Sequence, residues 1–264
     1  MPSKLLVSAL LLIASTASAS KAPAAFVDLS CIDPTILQEI RYTTAHNFIG
    51  DPIPGVEAPL CLLTRPAAQA LSTAQQQLLP RGYALKVYDC YRPQRAVDAF
   101  GSWAANLSDT RMRGEFYPHV DKARLFADGY MTPTSGHSRG STIDITAVAL
   151  PAAPAREFVP GEELRDCTAP HPQRFPDSSL DMGTGFDCFD PRSRPRDPRI
   201  AGEQRRNRDL LEHALASVGF VVDTNEWWHF TLKPEPFPDT FFNFDVARDA
   251  VETVCAAGSW SYEL

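Results

Sequence analysis

Two short stretches, far apart in a chain of 264 residues, concentrate the residue types that do chemistry. The first is Ser135-Gly136-His137-Ser138-Arg139-Gly140-Ser141-Thr142-Ile143-Asp144, and the second is Glu226-Trp227-Trp228-His229. Together they offer two imidazoles and a carboxylate that could hold a metal, with a further carboxylate to work beside it. Three nitrogen and oxygen ligands, with one position left for water, is how a catalytic zinc is held. Spacing alone is a weak signal, because His-x6-Asp and Glu-x-x-His both arise by chance. His46, His119, His171 and His213 read as surface or structural residues.

A rival motif overlaps the first stretch. Gly136-His137-Ser138-Arg139-Gly140 matches Gly-x-Ser-x-Gly, the nucleophile elbow of serine hydrolases. That elbow needs a strand before the serine and a helix after it. Here Thr132-Pro133-Thr134 precedes and the strand-like run Thr142 to Thr146 follows, so the context is reversed. A serine hydrolase would lose activity with Ser138→Ala and ignore chelators.

The elements that must position these groups follow from periodicity and punctuation. Asp33-Pro34 reads as a helix start, with a short helix through Ile40. Tyr42 to Pro59 is loop-like, broken by Gly50, Pro52, Pro54 and Gly55. Thr64-Arg65-Pro66 opens a helix to about Leu79, with Ala67, Ala70, Leu71, Ala74 and Leu78 on one face. Ala84 to Asp89 alternates as a strand does, and Pro93 starts a helix reaching about Ala105, with Phe100 and Trp103 on its packing face. Arg92 then stands at a strand-to-helix corner, where its plain reading is a surface arginine pairing with Asp89. In the central motif Thr142, Asp144 and Thr146 share one strand face and Ile143 and Ile145 the other, which points Asp144 away from the apolar side.

A long insertion, about 149–198, is rich in Pro, Asp and Arg and lacks periodicity; such stretches are functional or pinned by disulfides. Gly202 to Val218 is a helix capped by Gly219. Phe220 to Val222 and Trp227 to Leu232 form a hairpin. Strand parity raises a difficulty, since Glu226 and His229 would face opposite sides of a regular strand. Both reach one site only if Glu226 lies in the turn ahead of the strand proper. Trp227 and Trp228 are packing residues. The expected fold is α+β, a single domain with a mostly antiparallel sheet flanked by helices and the metal site at the sheet.

Composition bounds the setting. Lys4, the apolar run Leu5 to Ile13 and Ala17-Ser18-Ala19 predict a signal peptide over 1–19, with the working domain over 20–264. No stretch is long and apolar enough for a membrane span. Six cysteines (31, 61, 90, 167, 188, 255) lie beyond that leader, an even count that favours disulfides in an exported chain, with Cys167–Cys188 the first choice of pair. The formal charge is -7, and the one basic cluster, Arg192 to Arg208, is interleaved with Pro and Asp. It reads as a solvated loop entering a helix, which argues against a nucleic-acid partner.

Four motifs in fixed order then point to a family. Tyr91-Arg92-Pro93-x-Arg95-Ala96-Val97, Ser135-x-His137-Ser138-Arg139-Gly140-x3-Asp144, Met182-Gly183-x2-Phe186-Asp187 and Glu226-Trp227-Trp228-His229 resemble the zinc D-alanyl-D-alanine dipeptidases, from about Ile40 to Phe244. The resemblance implies one zinc ion held by His137, Asp144 and His229. It implies Glu226 as general base and acid, and Arg92 beside the scissile carbonyl. Tyr42, Ser135 and Asp187 would grip the dipeptide, with Asp187 facing its ammonium. The chain departs from the vancomycin-resistance type in having Gly136 where a second serine is usual, and in its insertion and cysteines. The expectation is an exported, periplasmic hydrolase of D-Ala-D-Ala serving cell-wall precursor turnover. The alternative with the same metal is a DD- or LD-carboxypeptidase or endopeptidase on peptidoglycan stem peptides. A zinc-bearing binding module without catalysis would lack the purpose of Glu226 and Arg92.

Overall fold

The structure, a computed structural model, describes residues 21–255. The expected signal peptide over 1–19 lies outside the described residues. Among the described residues seven strands and four helices follow in the order β1 (Phe26–Asp28), β2 (Leu37–Gln38), β3 (Leu62–Thr64), α1 (Arg65–Leu78), β4 (Tyr83–Asp89), α2 (Gln94–Ala105), α3 (Arg113–Phe116), β5 (Thr142–Ala149), α4 (Gly202–Ala216), β6 (Phe220–Val222) and β7 (His229–Leu232). The main sheet has the order β2-β4-β5-β7-β6, and β1 pairs with β3 beside it. Every pairing between these strands is antiparallel except β2 with β4. Among the described residues no helix is long and apolar enough to cross a membrane.

The helices form where local chemistry and burial agree. In α1, Pro66 sits in the first turn, where its missing N–H costs nothing, and Ala67, Leu71, Ala74 and Leu78 are fully buried along one stripe. Together α1 and α4 pack against the sheet. The fully buried Ile143 and Ile145 alternate in β5 with Thr142 and Asp144, whose side chains meet Thr231 and His229 of β7.

Two expectations fail. No helix follows Asp33-Pro34. Asp33 Oδ1 instead accepts from the Thr35 backbone N–H at 3.0 Å and from its hydroxyl at 2.5 Å, turning the chain so that β2 can join the sheet. The open edge of β4 offers backbone partners that a short solvated helix cannot match, and the Gln38 side chain ties β2 to Cys61 N and Ser30 Oγ. The basic cluster is not wholly solvated either. Arg208 is buried, and its guanidinium donates to the carbonyls of Met182 (2.7 Å), Arg194 (2.6 Å) and Arg192 (2.8 Å). Burial, and then the charge of Arg205, lower its pKa to about 9.

Between β5 and α4 the chain forms only short 3-10 turns. All six cysteines are paired, as Cys31–Cys255, Cys61–Cys90 and Cys167–Cys188.

Candidate active site

Three neighbouring strands carry a row of polar side chains. Asp89 on β4 is the register partner of Asp144 on β5, which is the register partner of His229 on β7. A register irregularity between Val87 and Asp89 brings Asp89 into this row. His137 reaches the same point from the 3-10 turn Gly136–Arg139 just ahead of β5. Ser135 caps that turn through His137 N–H, and Gly140 ends it with φ 80°.

The outcome is a triangle of donor atoms. His137 Nε2, His229 Nδ1 and Asp144 Oδ1 are each 3.2 Å from the other two. Metal–ligand bonds of about 2.0–2.1 Å at a tetrahedral angle place donors about 3.3–3.4 Å apart, so the triangle fits such an ion. Asp144 Oδ1 is buried and receives no well-directed hydrogen bond. An unpaired carboxylate oxygen of that kind costs about 1–3 kcal/mol or more, and a cation within the triangle would satisfy it. Burial alone would raise the Asp144 pKa, but the two imidazoles outweigh it and hold the carboxyl well below its usual range.

The support behind the triangle is specific. His137 Nδ1 lies 2.6 Å from the Cys90 carbonyl and 3.1 Å from Asp89 Oδ2, acceptors that fix its proton on Nδ1 and leave Nε2 free to ligate. Asp89 also pairs with Arg92. The Arg92 guanidinium is 3.8 Å from Asp144 Oδ2, donates to Ser135 Oγ at 3.1 Å, and lies over the rings of Phe100 and Tyr42.

Glu226 resolves the parity problem. Trp227 and Trp228 are buried ahead of β7, whose first residue is His229, so Glu226 belongs to the turn. Its Oε2 is 3.6 Å from His229 Nδ1. Burial first, with the charges of Asp144 and Asp223 adding, raises its pKa to about 8 against the opposing pull of His229. Across the cleft Asp187 accepts from the Tyr42 hydroxyl at 2.8 Å. Burial first, then Asp144 and Glu226, push the Asp187 carboxyl well above its ordinary range. A metal ion or a ligand ammonium would each draw it back towards the ionised form.

Tyr42, Arg92, Ser135, Asp187, Glu226 and His229 line one cleft of about 450 Å³, with the buried Asp144 in its wall. His137 is fully buried behind it. All eight residues singled out from the sequence therefore meet. Ser138, the serine of the rival motif, is fully buried and its hydroxyl has no partner, so it cannot act as a nucleophile on a ligand in the cleft. A side chain at Gly136 would bring its Cβ to 2.5 Å from Thr142 Oγ1, which accounts for glycine at that position. The two groups that brace His137 Nδ1 escaped the sequence reading, which had Asp89 only as a partner for Arg92. Asp89 had one available signal, a carboxylate on the Leu85-Val87 face of a strand; the Cys90 carbonyl had none.

Comparison with known proteins agrees with this geometry. The family described as D-ala-D-ala dipeptidase, of the M15 peptidases, matches residues 22–151 and 177–247. The D-alanyl-D-alanine dipeptidase of Enterococcus faecalis is 36% identical over 209 residues, covering 79% of this chain and 92% of that protein. The one from Streptomyces coelicolor is 35% identical with the same coverage. The one from Escherichia coli K12 is 32% identical over 78% of this chain and 83% of its own length. Peptidases of this family depend on a metal, and His137, Asp144 and His229 form a group able to bind one. The chain belongs to the M15 peptidases, in the D-ala-D-ala dipeptidase family.

Proposed function

We propose that this protein is a zinc-dependent dipeptidase that splits D-Ala-D-Ala into two D-alanines during cell-wall precursor turnover. The observation that carries the reading is the 3.2 Å donor triangle with Glu226 at its open side. Two imidazoles and one carboxylate are a donor set suited to zinc, and the relatives' names supply the substrate.

Bound zinc supplies Lewis acidity, polarising the amide carbonyl and lowering the pKa of water from about 15.7 towards about 7. The chain's own residues do the rest. Asp187, held by Tyr42, faces the dipeptide ammonium, and Ser135 lies beside the peptide. Glu226 takes the proton of the attacking water and passes it to the leaving amine, a contribution of about 10²–10⁴-fold. Arg92 stabilises the negative charge that develops on the carbonyl oxygen, worth about 3–4 kcal/mol for one such donor. Asp89 holds Arg92 and His137 in place together.

Export to the periplasm belongs to the same proposal. Three disulfides need an oxidising compartment, and the leader-like residues 1–19 would deliver the chain to one.

The test is purified residues 20–264 with D-Ala-D-Ala, L-Ala-L-Ala and a stem pentapeptide, with and without chelator. The expected result is turnover of D-Ala-D-Ala alone, abolished by chelation and restored by zinc. Faster cleavage of the pentapeptide would replace the dipeptidase reading with a carboxypeptidase. Activity indifferent to chelator would remove the metal.

A further inference from the structure

Asp187 is one of two non-glycine residues with positive φ among the described residues, at 55°. This left-handed backbone is disfavoured for a residue with a Cβ, and persists where flanking structure over-determines it. Here the flanking structure is a cross-link. The next residue, Cys188, is fully buried and bonded to Cys167. The Cys167 carbonyl accepts from Gly185 N–H at 2.8 Å, two residues before Asp187, and Cys167 N–H donates to the Glu115 carbonyl at 3.1 Å. On the far side, the Cys188 carbonyl accepts from Ser193 Oγ at 2.6 Å, and Phe189 N–H donates to the Phe116 carbonyl at 2.7 Å. Cys167 thus clamps both flanks of Asp187 and ties them to α3.

Cys167 also lies in residues 152–176, between the two ranges that match the family. Cys188 and Asp187 lie inside the second range. The disulfide therefore fastens a segment outside the family pattern to a wall of the cleft.

We infer that the Cys167–Cys188 cross-link is a positioning device for substrate: residues 152–176 hold Asp187 at the ammonium end of the cleft and set affinity for a dipeptide with a free amino group. The metal triangle stands on β5, β7 and the turn before β5, and the clamp touches it at one remove, the Ser193 carbonyl accepting from Trp227 N–H at 2.9 Å, two residues before His229. Loosening it removes binding of the ammonium without removing the metal. The inference rests on the proposed role of Asp187, and the experiment separates the two.

The variant Cys167→Ala/Cys188→Ala is compared with wild type, with Cys31→Ala/Cys255→Ala as a control cross-link between the chain ends, and with Asp187→Asn. The readouts are KM and kcat for D-Ala-D-Ala, zinc content, and discrimination against N-acetyl-D-Ala-D-Ala. For the Cys167/Cys188 pair we expect KM to rise about tenfold, kcat within about twofold of wild type, zinc content unchanged, and a narrower preference for the free amine. The control pair leaves KM and that preference at wild-type values. A wild-type KM in the Cys167/Cys188 variant, while Asp187→Asn raises it, overturns the clamp and leaves the ammonium site standing. A wild-type KM in Asp187→Asn overturns the ammonium site and the clamp with it. Equal loss of zinc, kcat and KM in the Cys167/Cys188 variant assigns the bond to general stability and overturns positioning. Should the alanine pair fold poorly, Cys167→Val with Cys188→Ala restores volume and answers the same question.

Discussion

Asp144 and His229 occupy one rung of the β5–β7 ladder, with Asp144 Oδ1 3.2 Å from His229 Nδ1. Direct register partners on adjacent strands are the closest placement a sheet offers to two side chains on one face. Two of the three candidate ligands are thus set by strand pairing, and only His137 depends on a turn.

The first prediction separates binding from chemistry. His137→Ala loses both bound metal and turnover, because the triangle is broken. Glu226→Ala keeps the metal but loses turnover by about 10²–10⁴-fold, since its carboxylate lies outside the triangle. Metal content and D-Ala-D-Ala hydrolysis measured on both variants decide it; near wild-type turnover in Glu226→Ala would show the base wrongly assigned.

Asp89 makes a second case. It contacts no cleft surface, being 1% exposed, yet it braces His137 Nδ1 and Arg92 at once. Asp89→Asn should weaken metal binding by about 10–100-fold, the usual loss when a ligand's outer partner is removed. Competition against a fluorescent chelator measures this directly. Unchanged affinity would leave the Cys90 carbonyl as the sole orienting group.

Gly140 is demanding for two independent reasons. Its φ is 80°, and a Cβ there would stand 2.3 Å from the Phe26 ring. Phe26 cannot yield easily, packed edge-on against Tyr91, Phe242 and Phe244. Gly140→Ala should therefore cost at least about 2 kcal/mol in urea unfolding, overpacking and backbone strain combined. A loss under about 0.5 kcal/mol would mean that the turn relaxes freely.

The pH dependence of stability should carry the mark of His46 and Glu115. Arg41 Nη1 donates to His46 Nδ1 at 2.8 Å, so the neutral ring keeps its proton on Nε2, 2.8 Å from Glu115 Oε1. Burial first and then Arg41 lower the His46 pKa from 6.5 to about 2, while burial raises that of Glu115 from 4.5 to about 8. The folded pair holds one proton from about pH 2 to 8. Unfolded, it also holds one between 4.5 and 6.5, two below that window and none above it. The stabilisation from this pair is thus flat from pH 4.5 to 6.5 and falls on either side, by about 2 kcal/mol on going up to pH 8. Glu115→Gln should abolish the alkaline fall. Urea midpoints at pH 5.5 and 8 test this; an unchanged slope in the variant would locate the titrating group elsewhere.

What could be read from the sequence follows a physical divide. Helix α1 and strand β4 are governed by local periodicity, and their observed spans differ from the reading by a residue or so. The helix after Asp33 failed because the competing partner, the β4 edge, lies nearly fifty residues on and leaves no local trace. The convergence of the eight site residues was legible only through the ordered motifs. Asp89 lacked such a tag, and the Arg41–His46–Glu115 cluster joins residues whose neighbourhood exists only after folding.

The Cys31–Cys255 bond gives the described chain one more property. It turns everything between those two cysteines into a closed covalent ring. A single proteolytic nick anywhere inside that ring, including the irregular span before α4, opens the ring but releases no fragment. In surroundings rich in foreign proteases, the first cut is then survivable, and the two ends it creates stay anchored to one molecule.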